Sequence, residues 1–218
     1  MKFLWLFGVL CMGTIQAKEV KIPLSKEGQV YHLPNFLNEK ECDHLIALGE
    51  PKLKRSTVVS ETSVDGRLDE GRTSRGMFLN GRGMDKLVDR IERRIAKLTK
   101  TPVENGESIQ ILHYDIGAEY QPHFDTFDPD SVGGKDSLAR GGQRVATVVM
   151  YLNSTEEGGE TIFPNLNLAV KAKRGDAVLF YHLKEDGSVD PNAFHGGAPV
   201  KKGEKWIATK WIRLGEFK

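Results

Sequence analysis

After Pro102 the apolar residues arrive in short runs: Ser108 to Tyr114, Val145 to Leu152, Ala169 to Lys171, Ala177 to Tyr181 and Trp206 to Ile212. Turns rich in Gly, Asp, Asn and Pro separate them, a spacing that suits the strands of an all-β barrel or sandwich. The N-terminal part adds two helical signals. Asn38 followed by Glu41 has the spacing of a capping box, and Cys42, Leu45, Ile46 and Leu48 make one apolar face, so a helix is expected over about 38–50, ending near Pro51. Between Met84 and Lys100, Leu87, Ile91, Ile95 and Leu98 recur at helical spacing, with Arg90, Arg93, Arg94 and Lys97 reading as a solvated face. Short alternations at Val20, Ile22 and Leu24, then Val30 and His32, predict edge strands within 18–33. The expected fold is mainly β, with supporting helices against one face.

At 218 residues and 39% apolar content the chain is long enough for one sizeable core, so residues 18–218 are expected to form a single domain. Thirty-one basic against thirty acidic residues leave no electrostatic footprint for nucleic acid, and no such partner is expected. Residues 1–17 carry Lys2, an apolar run from Phe3 to about Gly13, and Ala17 before Lys18. They read as a cleavable secretory signal, the apolar run being shorter than the ~18 residues of a spanning helix, so no stable membrane insertion is expected after cleavage. The expected location is an endoplasmic-reticulum lumen or a bacterial periplasm. Cleavage would leave Cys42 alone, excluding an internal disulfide.

His123 and Asp125 stand two apart, so on an extended strand both side chains share one face and can reach one metal ion, while Phe124 turns the other way into packing. His195, 72 residues on, follows a turn at Asp190, Pro191 and Asn192 that could return a strand beside them. Two imidazoles and one carboxylate leave open positions on an octahedral ion, the arrangement of non-haem iron(II) oxygenases. Lys205 begins a strand marked as buried by Trp206, Ile207, Trp211 and Ile212, where an ammonium needs an anionic partner. Residues 126–142 show almost no apolar periodicity and several glycines, and are expected to be a mobile loop, a natural substrate lid.

The stretches RTSRGMFL (72–79), ENGESIQILHYDIGAEYQPHFD (104–125), GGQRVATVVMYLN (141–153), GGETIFP (158–164) and DPNAFHGGAPVKKGEKWIATKWIR (190–213) together resemble the prolyl 4-hydroxylases that depend on iron(II) and 2-oxoglutarate. The likeness is to the compact plant, algal, viral and bacterial members, without the extra peptide-binding domain of the animal collagen enzymes. It implies a double-stranded β-helix, or jelly roll, and hydroxylation at C4 of proline in a peptide or protein, with 2-oxoglutarate decarboxylated to succinate. O2 is the other co-substrate, and L-ascorbate the expected reductant.

Carried over by position, the resemblance makes His123, Asp125 and His195 the iron ligands and sets Lys205 on the distal carboxylate of 2-oxoglutarate, with Tyr114 and Thr161 assisting. Trp211 belongs to the core or to the pocket wall. Arg72, Ser74, Glu107, Tyr120 and Arg144 fall near the peptide groove. Ala198 stands where many relatives have cysteine, which excludes a disulfide there. The same iron site acting on lysine, a free amino acid or a small molecule is an alternative, as is a non-catalytic jelly-roll binding module. The latter has no need of all four of His123, Asp125, His195 and Lys205.

Overall fold

Residues 20–26, 29–79 and 83–218 are described in the computed structural model, and the expected signal segment 1–17 lies outside them. In chain order the strands and helices are β1 (Ile22–Pro23), β2 (Val30–Leu33), α1 (Glu39–Gly49), β3 (Lys54–Arg55), β4 (Arg75–Phe78), α2 (Lys86–Thr99), β5 (Gln110–Tyr114) and β6 (Tyr120–His123). There follow α3 (Val132–Ala139), β7 (Arg144–Tyr151), β8 (Glu157–Gly158), β9 (Thr161–Phe163), β10 (Leu168–Val170), β11 (Ala177–Tyr181), β12 (His195–Gly197), β13 (Val200–Lys202) and β14 (Lys205–Arg213). An eight-stranded sheet runs β1-β2-β11-β7-β14-β5-β4-β3, a four-stranded sheet runs β10-β9-β12-β6, and β13 pairs with β8. All of the pairings are antiparallel.

The large sheet is covered on both sides, which is why its central strands read as nearly unbroken apolar runs. Alternate residues of each strand go to opposite faces. Ile111, Val148, Met150, Leu179, Ala208 and Ile212 pack on one face with Leu45 of α1 and Ile91 and Ile95 of α2. Leu112, Val149, Tyr151, Val178, Phe180 and Ile207 pack on the other with Phe163, Val170 and Val200. This is the double-stranded β-helix, with a helical layer outside the larger sheet. Each isoleucine of α2 in that layer contributes roughly 1.5–3 kcal/mol of burial. Among the described residues no helix is long and apolar enough to cross a membrane.

The helix ends follow their capping chemistry. Asn38 accepts from the Glu41 amide while the Glu41 carboxylate accepts from the Asn38 amide, closing the capping box. Asp85 accepts from the Leu87 and Val88 amides and starts α2, two residues later than the apolar pattern suggested. The arginine-rich face of α2 is not wholly solvated as expected. Arg94 turns inward to pair with Glu41 at 2.6 Å and to donate to the Phe36 carbonyl, joining α2 to the start of α1. Glu92, on the same helix, is buried against Lys210 of β14. Residues 126–142 also depart from the expected loop, because Val132–Ala139 forms α3 with Ser131 capping the Gly134 amide. Its buried residues are Gly133 and Gly134. It therefore carries no apolar stripe to announce it.

Burial pushes the Glu41 carboxyl up, but Arg94 and the Asn38 amide outweigh that and hold it below its ordinary value. The stabilisation is therefore present above the unfolded value of about 4.5 and is lost as pH falls through the lowered folded value. Glu41→Ala should reduce unfolding free energy by roughly 2–3 kcal/mol near neutral pH. The gap from wild type should close in acid, as read by urea denaturation at several pH values.

Candidate active site

β6 and β12 are neighbours in the smaller sheet, and their register sets His123 directly opposite His195. β6 ends at His123, and the bend that follows carries Asp125 round to face both imidazoles. His123 Nε2 lies 3.5 Å from Asp125 Oδ1, and His195 Nε2 lies 3.6 Å from Oδ2. One ligand atom from each residue fits within a mutual spread of 4.8 Å. Asp125 thus reaches the site from a bend and not from the strand itself. The same bend leaves Phe124 41% exposed and tilted against Phe194 at 5.0 Å between ring centroids, not turned into packing.

Proton positions follow from the backbone. His123 Nδ1 is 2.8 Å from the Gln121 carbonyl and His195 Nδ1 is 2.9 Å from the Ala193 carbonyl. A carbonyl only accepts, so both imidazoles carry a proton on Nδ1, and Nε2 is the ring atom that each turns toward Asp125. Burial pushes His195 down to about 3, against the opposing pull of Asp125. Burial would raise Asp125, but His195 and His123 hold it well below the usual carboxylate range. Two imidazole Nε2 atoms and a carboxylate held in its ionised form therefore converge. That donor set fits a divalent cation with open coordination positions.

The triad sits where two cavities meet. A narrow one, of about 40 Å³, runs inward past Leu112, Val149, Ile207 and Thr161 to Lys205. Lys205 is buried opposite Tyr114 in the β14–β5 register, with its ammonium 5.2 Å from the Tyr114 ring centroid. Burial pushes Lys205 down to about 8 against the distant pull of Glu160, and no described carboxylate lies within ion-pair distance. The Tyr151 hydroxyl donates to Thr161 Oγ1 at 2.8 Å, which leaves the Thr161 proton free to donate elsewhere. The buried Tyr114 hydroxyl is held above its ordinary value, chiefly by desolvation. An apolar channel ending in a cation and a hydroxyl donor fits a short dicarboxylate.

The second cavity is an open groove of about 620 Å³, walled by Arg72, Tyr120, Phe124, Arg144, Trp211 and part of 126–142. Tyr120 stacks on His123 with ring centroids 3.7 Å apart, and the Arg72 guanidinium lies 4.7 Å from the Tyr120 centroid. Arg72 is buried and donates to the Thr57 carbonyl and the Gln110 side chain, and its Nε has no partner among the described residues. Trp211 lines both cavities, with its Nε1 likewise unpartnered. Arg144 lies 4.0 Å from the Trp211 ring centroid and 3.9 Å from Asp125 Oδ1. Ser74 and Glu107 line neither cavity. Ser74 donates to the Ser56 hydroxyl and meets the Tyr114 hydroxyl from behind the narrow cavity, and Glu107 grips Arg144 through two hydrogen bonds of 2.7 and 2.8 Å with Arg213 Nε 2.9 Å away.

Three residues at the site escaped the sequence reading. Thr147 donates to Asp125 Oδ2 at 2.6 Å, and His182 lies 2.8 Å behind Thr147. Asn153 clips the backbone on both sides of Lys205, donating to the Glu204 carbonyl and accepting from the Trp206 amide. A threonine inside an apolar strand and an asparagine at its end are unremarkable by themselves. Only the parity of Thr147 with Val149 and Tyr151 hinted at an inward face.

Residues 109–213 match the sequence model of the 2OG-Fe(II) oxygenase superfamily. Prolyl 4-hydroxylase 5 of Arabidopsis thaliana is 45% identical over 208 residues, covering 87% of this chain and 69% of that protein. The viral collagen prolyl hydroxylase of Paramecium bursaria Chlorella virus-1, solved as its 2OG complex, superposes with a TM-score of 0.66 at 29% identity, covering 88% of this chain and 99% of that one. A Pseudomonas putida prolyl-4-hydroxylase shares the fold, with a TM-score of 0.58 at 19% identity over 85% of this chain and 93% of its own. Fold and sequence match together define a 2-oxoglutarate- and iron(II)-dependent dioxygenase. The chain belongs to the prolyl 4-hydroxylase family.

Glu107 is the buried counter-ion of both Arg144 and Arg213. Removing its charge leaves Arg213 without a carboxylate among the described residues and Arg144 with Asp125 alone, 3.9 Å away, in a desolvated site. Glu107→Gln should reduce unfolding free energy by about 3–5 kcal/mol, measured by urea denaturation.

Proposed function

We propose that this enzyme hydroxylates C4 of a proline residue in a peptide or protein, converting 2-oxoglutarate and O2 to succinate and carbon dioxide. The observation that carries this reading is the placement of the His123, Asp125 and His195 triad where a narrow channel ending at Lys205 meets an aromatic-walled groove. His123 and His195 would hold iron(II) through Nε2 and Asp125 through its carboxylate. When bound, iron(II) supplies the activation of O2 and delivers one oxygen atom to the C–H bond.

The side chains position and exclude. Lys205 takes the distal carboxylate of 2-oxoglutarate, Thr161 donates its spare proton to the same group, and Tyr114 flanks it. Leu112, Val149 and Ile207 cover the methylene carbons, so the keto-acid end is held at the triad. In the groove, the flat faces of Tyr120 and Trp211 suit an extended proline-containing peptide, and the unpartnered Nε of Arg72 is a donor for one of its carbonyls. Arg144 and the segment 126–142 wall the reacting end against water. L-Ascorbate would serve as the soluble reductant that returns the metal to iron(II). Residues 18–218 would act as a single domain behind a secretory leader at 1–17, in an endoplasmic-reticulum lumen or bacterial periplasm.

Mass spectrometry of proline-rich peptides incubated with enzyme, iron(II), ascorbate and 2-oxoglutarate should show the added mass of one oxygen per modified proline, with matching succinate. His123→Ala should show neither. Succinate formed while every peptide keeps its mass would replace proline by another acceptor.

Lys205→Ala should weaken 2-oxoglutarate binding on the order of 100-fold, as expected for truncating one partner of a desolvated charge pair. With burial holding the ammonium at about 8, its charge is present below that pH and lost above it. The dissociation constant for 2-oxoglutarate should therefore rise as pH passes upward through 8, a limb absent from Lys205→Ala. A flat wild-type profile would remove the role.

A further inference from the structure

We propose that His182 and Thr147 form a positioning relay for Asp125, in which His182 Nε2–H donates to Thr147 Oγ1 and the Thr147 hydroxyl donates to Asp125 Oδ2. The inference rests on the reading of Asp125 as a metal ligand. Its geometry is a chain of 2.8 and 2.6 Å contacts among three buried residues. The direction of both bonds follows from proton counting. An ionised carboxylate only accepts, so the single Thr147 proton goes to Asp125. Thr147 Oγ1 must then accept from His182, which requires the proton on Nε2. His182 Nδ1 is buried with no partner among the described residues, and a proton there would have no acceptor among them, so the neutral Nε2–H tautomer is the one the site accommodates.

The relay also crosses the sandwich. Thr147 lies on β7 and His182 follows β11, both in the large sheet, whereas Asp125 follows β6 in the small one. His182 is tied at its own backbone, its amide donating to the Val145 carbonyl and its carbonyl accepting from the Asp190 amide. Phe180 meets its ring edge-on at 5.3 Å between centroids. A ring fixed by its backbone bonds and by Phe180 thus orients a hydroxyl, and the hydroxyl orients the carboxylate, engaging one lone pair of Oδ2 and setting the plane in which the others face His123 and His195. Groups of this kind usually change metal affinity by about 10- to 100-fold when removed.

Manganese(II) affinity of the full chain, read from the electron paramagnetic resonance signal of free Mn(II), tests this without turnover. Asp125→Ala should abolish binding, and Thr147→Val should weaken it by about 10- to 100-fold. Thr147→Ser, which keeps the hydroxyl, should stay near wild type. Where near-UV circular dichroism shows that Thr147→Val has not folded, His182→Leu and His182→Gln carry the same comparison, with weaker binding in the first and recovery in the second. Mn(II) affinity of Thr147→Val within about twofold of wild type overturns the relay alone, as does equal loss in Thr147→Ser and Thr147→Val, or in His182→Leu and His182→Gln. Wild-type affinity retained in Asp125→Ala, or no binding by wild type, overturns the metal-site reading and the relay with it.

Discussion

The pairing of Tyr120–His123 with His195–Gly197 is the contact on which the rest of the site depends, because it sets two imidazoles from distant parts of the chain opposite one another, 4.5 Å apart between ring centroids. In a β-ladder a slip of one residue moves every side chain to the opposite face. Here it would turn one histidine out of the site and separate the triad. The register is held from beyond the pair itself, since Gly196 and Gly197 also pair with Ile162 and Thr161 on the next strand. Gly196 comes so close to the backbone of Tyr120 and Pro122 that a Cβ there would sit at 2.8–3.1 Å from it. The glycines after His195 thus let two strands approach closely enough for their histidines to share one carboxylate.

The same parity rule distributes charge through the large sheet. Lys205 and Lys210 lie five residues apart on β14 and therefore face opposite sides. Lys210 points to the helical layer, where Glu92 meets it, and Lys205 points between the sheets, where no described carboxylate is within ion-pair distance. Arg144 and Arg213 lie against Glu107. Among the described residues, Lys205 and Arg72 are the buried cations left without a carboxylate, one at the end of the channel and one beside the groove. Leaving such charges uncompensated is costly unless a ligand supplies what the protein does not. The electrostatics of the fold thus support the proposal of an anionic co-substrate at Lys205 and a peptide beside Arg72.

Much of this was legible in the residues. The strand runs, the capping box at Asn38 and Glu41, and the apolar face of α2 needed only local rules, since propensity and periodicity act within a few residues. The four residues His123, Asp125, His195 and Lys205 were legible as candidates through the motifs around them. What local rules could not reach was anything decided by a partner distant in sequence. Arg94 looked solvated because Glu41, 53 residues away, was not visible as its counter-ion. Helix α3 was missed because close backbone packing, and not an apolar stripe, holds its glycines. Phe124 was placed by strand alternation, but the strand stops at His123 and the rule stops with it.

By itself, then, the sequence determined the mainly β architecture, the two framing helices and the identity of the groups that can hold a metal and an anion. These properties are written in hydrophobic period and side-chain chemistry. Tertiary structure alone decided that Thr147 and His182 stand behind Asp125, that Asn153 clips the backbone around Lys205, and that Glu107 serves two arginines and stays out of the groove. Each of those assignments depends on strand register and on the approach of two sheets, where a change of one residue in pairing reverses which face a side chain serves.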